Sequence, residues 1–111
     1  MAEYTVKQMV YNHEKAFIPE VAEGVDAVIQ YRFTGEEAGD YIITIKNGKC
    51  SVSEGIAANP TMTLTADGRD FGDVLLGKAN GMQYFMMGKL KLAGDLNLAM
   101  KLTTFFKMSG G

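Results

Sequence analysis

The sequence holds one cysteine, one histidine and no long apolar run among its 111 residues, and each scarcity closes off a class of structure. A lone Cys50 cannot form an internal disulfide, which suits a reducing cytoplasm. His13 has no Cys, Asp or second His at a ligand spacing, so neither a metal centre nor a cofactor is expected. Lys, Asp or Gly interrupts every apolar stretch well before the roughly 18 residues that a membrane-spanning helix needs. The first residues, Met1-Ala2-Glu3-Tyr4-Thr5, lack the basic and apolar regions of a secretory signal, and a cytoplasmic location is expected. The net charge of −2 is too small to imply a polyanionic partner, and nucleic acid is not expected. There is no internal repeat, low-complexity run or linker, which leaves one domain over residues 1–111, with disorder expected only at the tail Ser109-Gly110-Gly111.

What is present is uneven along the chain. Residues 1–79 carry 7 basic and 12 acidic side chains, net −5, whereas residues 80–111 carry four Lys against Asp95, net +3, together with five of the eight Met. The chain therefore ends in a basic, Met-rich, apolar segment.

The periodicity gives an alternating order of elements. Thr5 and Gln8 have capping-box spacing, and Val6, Met9, Val10, His13 and Phe17 fall on one face of a helix over 5–17. Pro19 opens a short helical turn over 20–23, stopped by Gly24. Residues 26–34 alternate with Ala27, Ile29, Tyr31 and Phe33 inward and Gln30 and Arg32 outward, as a half-buried strand does. Residues 41–46 repeat the pattern, and Asn47-Gly48 supplies a tight hairpin turn into a strand over 49–53. A fourth strand spans 62–65. Asp67 caps a helix over 69–76, Asn80 one over 82–87 and Asp95 one over 96–107, with a fifth strand at 89–92. The sum is an α+β fold of two layers, a five-stranded, mostly antiparallel sheet covered on one face by helices. The last helix is too apolar for a simple surface helix.

Several pieces of this string together resemble the sterol carrier protein 2 lipid-binding domain family. They are the strand at 62–65, the helix end Leu76-Gly77-Lys78, the run Met87-Gly88-Lys89-Leu90-Lys91-Leu92 with Gly94-Asp95, and Ala99-Met100-Lys101-Leu102. The hairpin at Asn47-Gly48 followed by Gly55 resembles the family more loosely, so that the likeness covers about residues 25–107. It implies a hydrophobic tunnel between sheet and helices that takes a fatty acyl chain, acyl-CoA, phospholipid, isoprenoid or sterol-like ligand without acting on it. An alternative is an accessory subunit that presents a lipid intermediate to partner enzymes. The C-terminus does not resemble Ser-Lys-Leu, so peroxisomal targeting by that signal is not expected.

Within that frame Met82, Met86 and Met100 are expected as adaptable walls, since Met is unbranched and polarizable. Phe71, Phe85, Leu98, Leu102 and Phe105 are expected as stiffer walls, with Ile43 and Leu90 contributing from the sheet. Lys89 and Lys91 are candidates for transient contact with an anionic membrane surface. A third reading, a small hydrolase or isomerase using Tyr84, has no convergent acid–base set behind it.

Other motifs fit structural roles. Gly72 to Lys78 has phosphate-loop spacing, but Ala79 stands where the magnesium-binding Ser/Thr belongs and Val74-Leu75-Leu76 reads as helix. His13 and Cys50 read as structural, Asp67 and Asp70 as caps, and Glu36-Glu37 as a solvated turn.

Overall fold

A computed structural model describes residues 5–107; the expected disorder of the tail lies outside these. Its sheet has the order β3-β2-β1-β4-β5, with β1 Ala27–Thr34, β2 Gly39–Lys46, β3 Lys49–Glu54, β4 Met62–Asp67 and β5 Leu90–Gly94. Three pairs are antiparallel and one, β1 with β4, is parallel. Asn47 and Gly48, both at positive φ (55° and 73°), make the β2–β3 turn, as a two-residue hairpin requires.

Strand alternation sends one set of side chains into the core. Ile29, Tyr31, Ile43, Ile45, Met62 and Leu64 are all almost fully buried. Helices α1 (Val6–Tyr11), α2 (His13–Ala16), α3 (Gly68–Leu75), α4 (Gly81–Met86) and α5 (Leu96–Lys101) complete the fold. The caps fall where the sequence placed them. Asp67 accepts from the amides of Arg69 and Asp70, Asn80 from Gln83 and Asp95 from Leu98.

The ends differ from expectation. The helix expected over 5–17 starts on its capping box but divides at Asn12, where the His13 ring takes the Met9 carbonyl. The last helix ends at Lys101, passes into a 3₁₀ turn over Leu102–Phe105 and then extends, because Phe106 bridges Phe17 while Ile18 donates to the Phe105 carbonyl and Lys107 to that of Ala16. Both chain ends thus exchange helical bonds for each other. Residues 20–23 form successive turns instead of a helix.

Two polar residues expected at the surface tie separate elements together. Gln30 is buried; its Nε2 donates to the carbonyls of Gly55 (2.9 Å) and Tyr41 (3.1 Å), and its Oε1 accepts from the Ala57 amide (2.7 Å). It fastens the crossover from β3 to β4 against the sheet face opposite the helices. Glu37, read as part of a solvated turn, instead accepts from the Val6 amide (2.8 Å) and pairs with Arg69 (3.1 Å), tying α1 and α3 to the end of β1.

Candidate functional site

The sheet ends at β5, and beyond this edge the helices do not close down on the strands. A cavity of about 390 Å³ lies between β4, β5 and helices α3, α4 and α5. Leu64, Leu90 and Leu92 form its floor and Phe71 its inner wall, while Met82 and Phe85 from α4 face Leu96, Ala99 and Met100 from α5 across it. Leu102 closes the base. The depth is apolar, with Leu64, Phe71, Leu90 and Leu102 all buried, whereas Met82 and Met100 at the mouth are 50% and 65% exposed.

None of the described residues that line the cavity is ionisable. The polar side chain among the described lining residues, Asn80, has its Oδ1 engaged by the Gln83 amide at 3.1 Å. A space of this kind offers dispersion and water exclusion and no charge or proton donor, so it discriminates by shape and apolarity alone.

The walls are backed by rings. Phe71 packs on Tyr31 and Phe33 with centroids 5.2 and 5.6 Å away, and Tyr31 is held in turn by His13. The His13 Nδ1 meets the Met9 carbonyl at 2.9 Å and so donates, which leaves Nε2 to accept from the Tyr31 hydroxyl, also at 2.9 Å. Burial pushes the His13 pKa down to about 4 and the Tyr31 pKa upward. The imidazole is therefore neutral at physiological pH and acts as a brace. Cys50, half-buried, has its thiol pushed up to about 12 by burial, which keeps it protonated and unreactive.

Six of the ten expected wall residues meet at this cavity: Phe71, Met82, Phe85, Leu90, Met100 and Leu102. The other four are elsewhere. Ile43 lies in the core on β2, two strands from β4; Leu98 and Phe105 are buried in the same core; and Met86 is 78% exposed at the outer rim. Leu64, Leu92, Leu96 and Ala99 line the cavity without having been expected there, although the alternation of β4 and β5 already put Leu64 and Leu92 on the inward face. The phosphate-loop spacing dissolves into α3, since Gly72 to Leu75 are helical. No group of three potential metal ligands occurs among the described residues, and no helix among them is long and apolar enough to cross a membrane.

The sequence model of the SCP-2 sterol transfer family matches residues 11–107. The chain belongs to this family. The match reaches further toward the N-terminus than the motifs of the second half alone suggested. Among curated relatives, the chain is 34% identical to hydroxysteroid dehydrogenase-like protein 2 of Xenopus tropicalis over 84 residues, 75% of this chain and 20% of that protein. It is 40% identical to human sterol carrier protein 2 over 68 residues, 61% of this chain and 12% of that protein. The chain thus spans about a fifth or less of the length of these relatives. The solution structure of palmitated SCP2L2 from Aedes aegypti superposes with a TM-score of 0.71 at 26% identity, covering 94% of this chain and 93% of that one. The five-stranded α+β fold is the family's, and a lipid-binding domain is what the family provides.

Proposed function

We propose that this domain is a non-catalytic carrier that takes a single acyl chain, tail first, into the cavity between α4, α5 and the β4–β5 edge. The observation that supports this most directly is a cavity of about 390 Å³ with no ionisable group among its described lining residues. That volume is near the lower end of the roughly 300–1,000 Å³ of small-molecule pockets, which favours one slender chain over a bulky ring system. The palmitated state of the Aedes aegypti SCP2L2 structure fits the same reading.

Phe71, Leu90 and Leu102 make the fixed wall, and Met82, Phe85 and Met100 adjust at the mouth. Ile43, Leu98 and Phe105 support this wall from the core. A sixteen-carbon chain at about 0.8 kcal/mol per buried CH₂ gains on the order of 12 kcal/mol, against association costs of about 4 to 15. Burial alone therefore supports binding, and a polar headgroup stays at the solvent-exposed mouth. With no acid–base pair in the cavity, the ligand leaves unchanged; Tyr84, the one candidate for chemistry, lies outside the lining beneath the Lys89 ammonium. A half-buried, protonated Cys50 suits work in a reducing, cytoplasmic setting.

The test is displacement of a fluorescent fatty acid. Ala99→Trp fills the cavity from α5 and is expected to weaken binding about tenfold or more, the equivalent of at least 1.4 kcal/mol, with the circular dichroism spectrum unchanged. Unaltered affinity in the folded variant would place the ligand elsewhere.

A further inference from the structure

The described methionines fall into two groups. Met9 and Met62 are buried in the core, whereas Met82, Met86, Met87 and Met100, on α4, just after it and on α5, are between 50% and 78% exposed. Of the exposed four, Met82 and Met100 line the cavity, one on each side of its mouth. A thioether is apolar and flexible, and where oxidants reach it peroxide converts it to a sulfoxide, which is polar and chiral. We propose that Met82 and Met100 are an oxidation site for peroxide that turns the cavity from holding an acyl chain to releasing it, an inference that rests on the reading of the cavity as a lipid site.

The chemistry needs no reactant besides the oxidant. The methionine sulfur attacks one oxygen of hydrogen peroxide; an S–O bond forms as the O–O bond breaks, the sulfur is oxidised, and the second oxygen is reduced and leaves as water. The setting gives this step its consequence. The described lining has no ionisable group to meet a sulfoxide oxygen, and Leu64, Phe71, Leu90 and Leu102 beneath the mouth are buried and apolar. An oxidised side chain either lays its S–O dipole against the bound chain or turns out to water. The first places a polar group in apolar surroundings and the second takes away a wall, so in both cases the ligand is held less tightly. Other sulfur does not substitute for this pair. Burial keeps the Cys50 thiol protonated, the form that reacts slowly, and sulfoxides at Met86 and Met87 fall outside the lining.

The test treats the delipidated full chain with hydrogen peroxide, locates the added oxygen by peptide mass spectrometry, and measures palmitate affinity before and after. Oxygen is expected on Met82 and Met100 and not on the buried Met9 or Met62. Palmitate affinity should fall about tenfold or more with an unchanged circular dichroism spectrum. Methionine sulfoxide reductases with a thiol reductant should restore it where the thiol reductant alone does not. Bound palmitate should protect Met82 and Met100 from peroxide while Met86 and Met87 oxidise as in the free protein. Met82→Leu/Met100→Leu, whatever affinity it starts from, should keep that affinity through the treatment, and Met86→Leu/Met87→Leu should be as sensitive as the parent. Affinity that survives sulfoxides at both positions, an equal loss in Met82→Leu/Met100→Leu, or no protection by palmitate would overturn the inference and leave the carrier reading in place. A parent that binds no palmitate before oxidation would remove the carrier reading and this inference with it.

Discussion

His13 and Gln30 are the buried polar side chains among the described residues, and both act by satisfying groups that the fold would otherwise strand. The His13 pKa of about 4 lies below its ordinary value of 6.5, so the unfolded chain binds the extra proton first. Stability is complete above about pH 6.5 and falls as pH drops from there toward 4, by on the order of 3 kcal/mol once both states are protonated. Urea titrations at pH 7 and pH 4.5 measure the difference, and His13→Phe is expected to remove most of it; an unchanged slope in that variant would assign the pH dependence to carboxylates. Gln30→Leu removes the side-chain donor to the Tyr31, Tyr41 and Gly55 carbonyls and the acceptor of the Ala57 amide, and a loss of roughly 3 kcal/mol is expected in urea unfolding. Neither role was legible in the sequence. Gln30 alternates like any outward strand residue, and only the crossover at 55–57, distant in sequence, covers it; Glu37 escaped notice for the same reason, because its partners Val6 and Arg69 are about thirty residues away on either side.

At the scale of elements, local signals carried far. Alternation located the strands and short polar side chains located the helix starts, because both are set by neighbours within four residues. What failed was non-local: the extended pairing of Phe17 with Phe106 shortens both terminal helices, and strand order, which periodicity does not contain, removes Ile43 from the cavity. Helical phase likewise turns Leu98 into the core while Leu96, Ala99 and Met100 line the opening. The junction of β5 with α5 is a place where an element depends on one residue. Gly94 has a φ of +90°, and a Cβ there would sit 2.9 Å from the Met62 Cα. Gly94→Ala is expected to cost about 2 kcal/mol or more and to lower fatty acid affinity by shifting β5 and its Leu90 and Leu92 from the cavity floor; thermal melts and ligand titration of the same sample check both.

For the molecule as a whole, the acidic first part builds the sheet's packed side and the basic, Met-rich last part builds the open one. The charge asymmetry read from the sequence therefore maps onto a division between scaffold and cavity-bearing edge. A ligand that binds only the folded state adds about 2.7 kcal/mol at a hundred times its Kd, which for a domain of this size corresponds to a rise of roughly 10 to 20 °C in Tm. Palmitate is expected to raise the Tm by that amount in the parent and by much less in Ala99→Trp.

The most direct test of the carrier reading is native mass spectrometry of protein purified without denaturant, followed by extraction and identification of what it carries. The account predicts a stoichiometric acyl lipid, released on unfolding and diminished in Ala99→Trp. A protein that is empty as purified and that takes up no added fatty acid would contradict it, and would make the cavity between α4 and α5 a feature of packing alone.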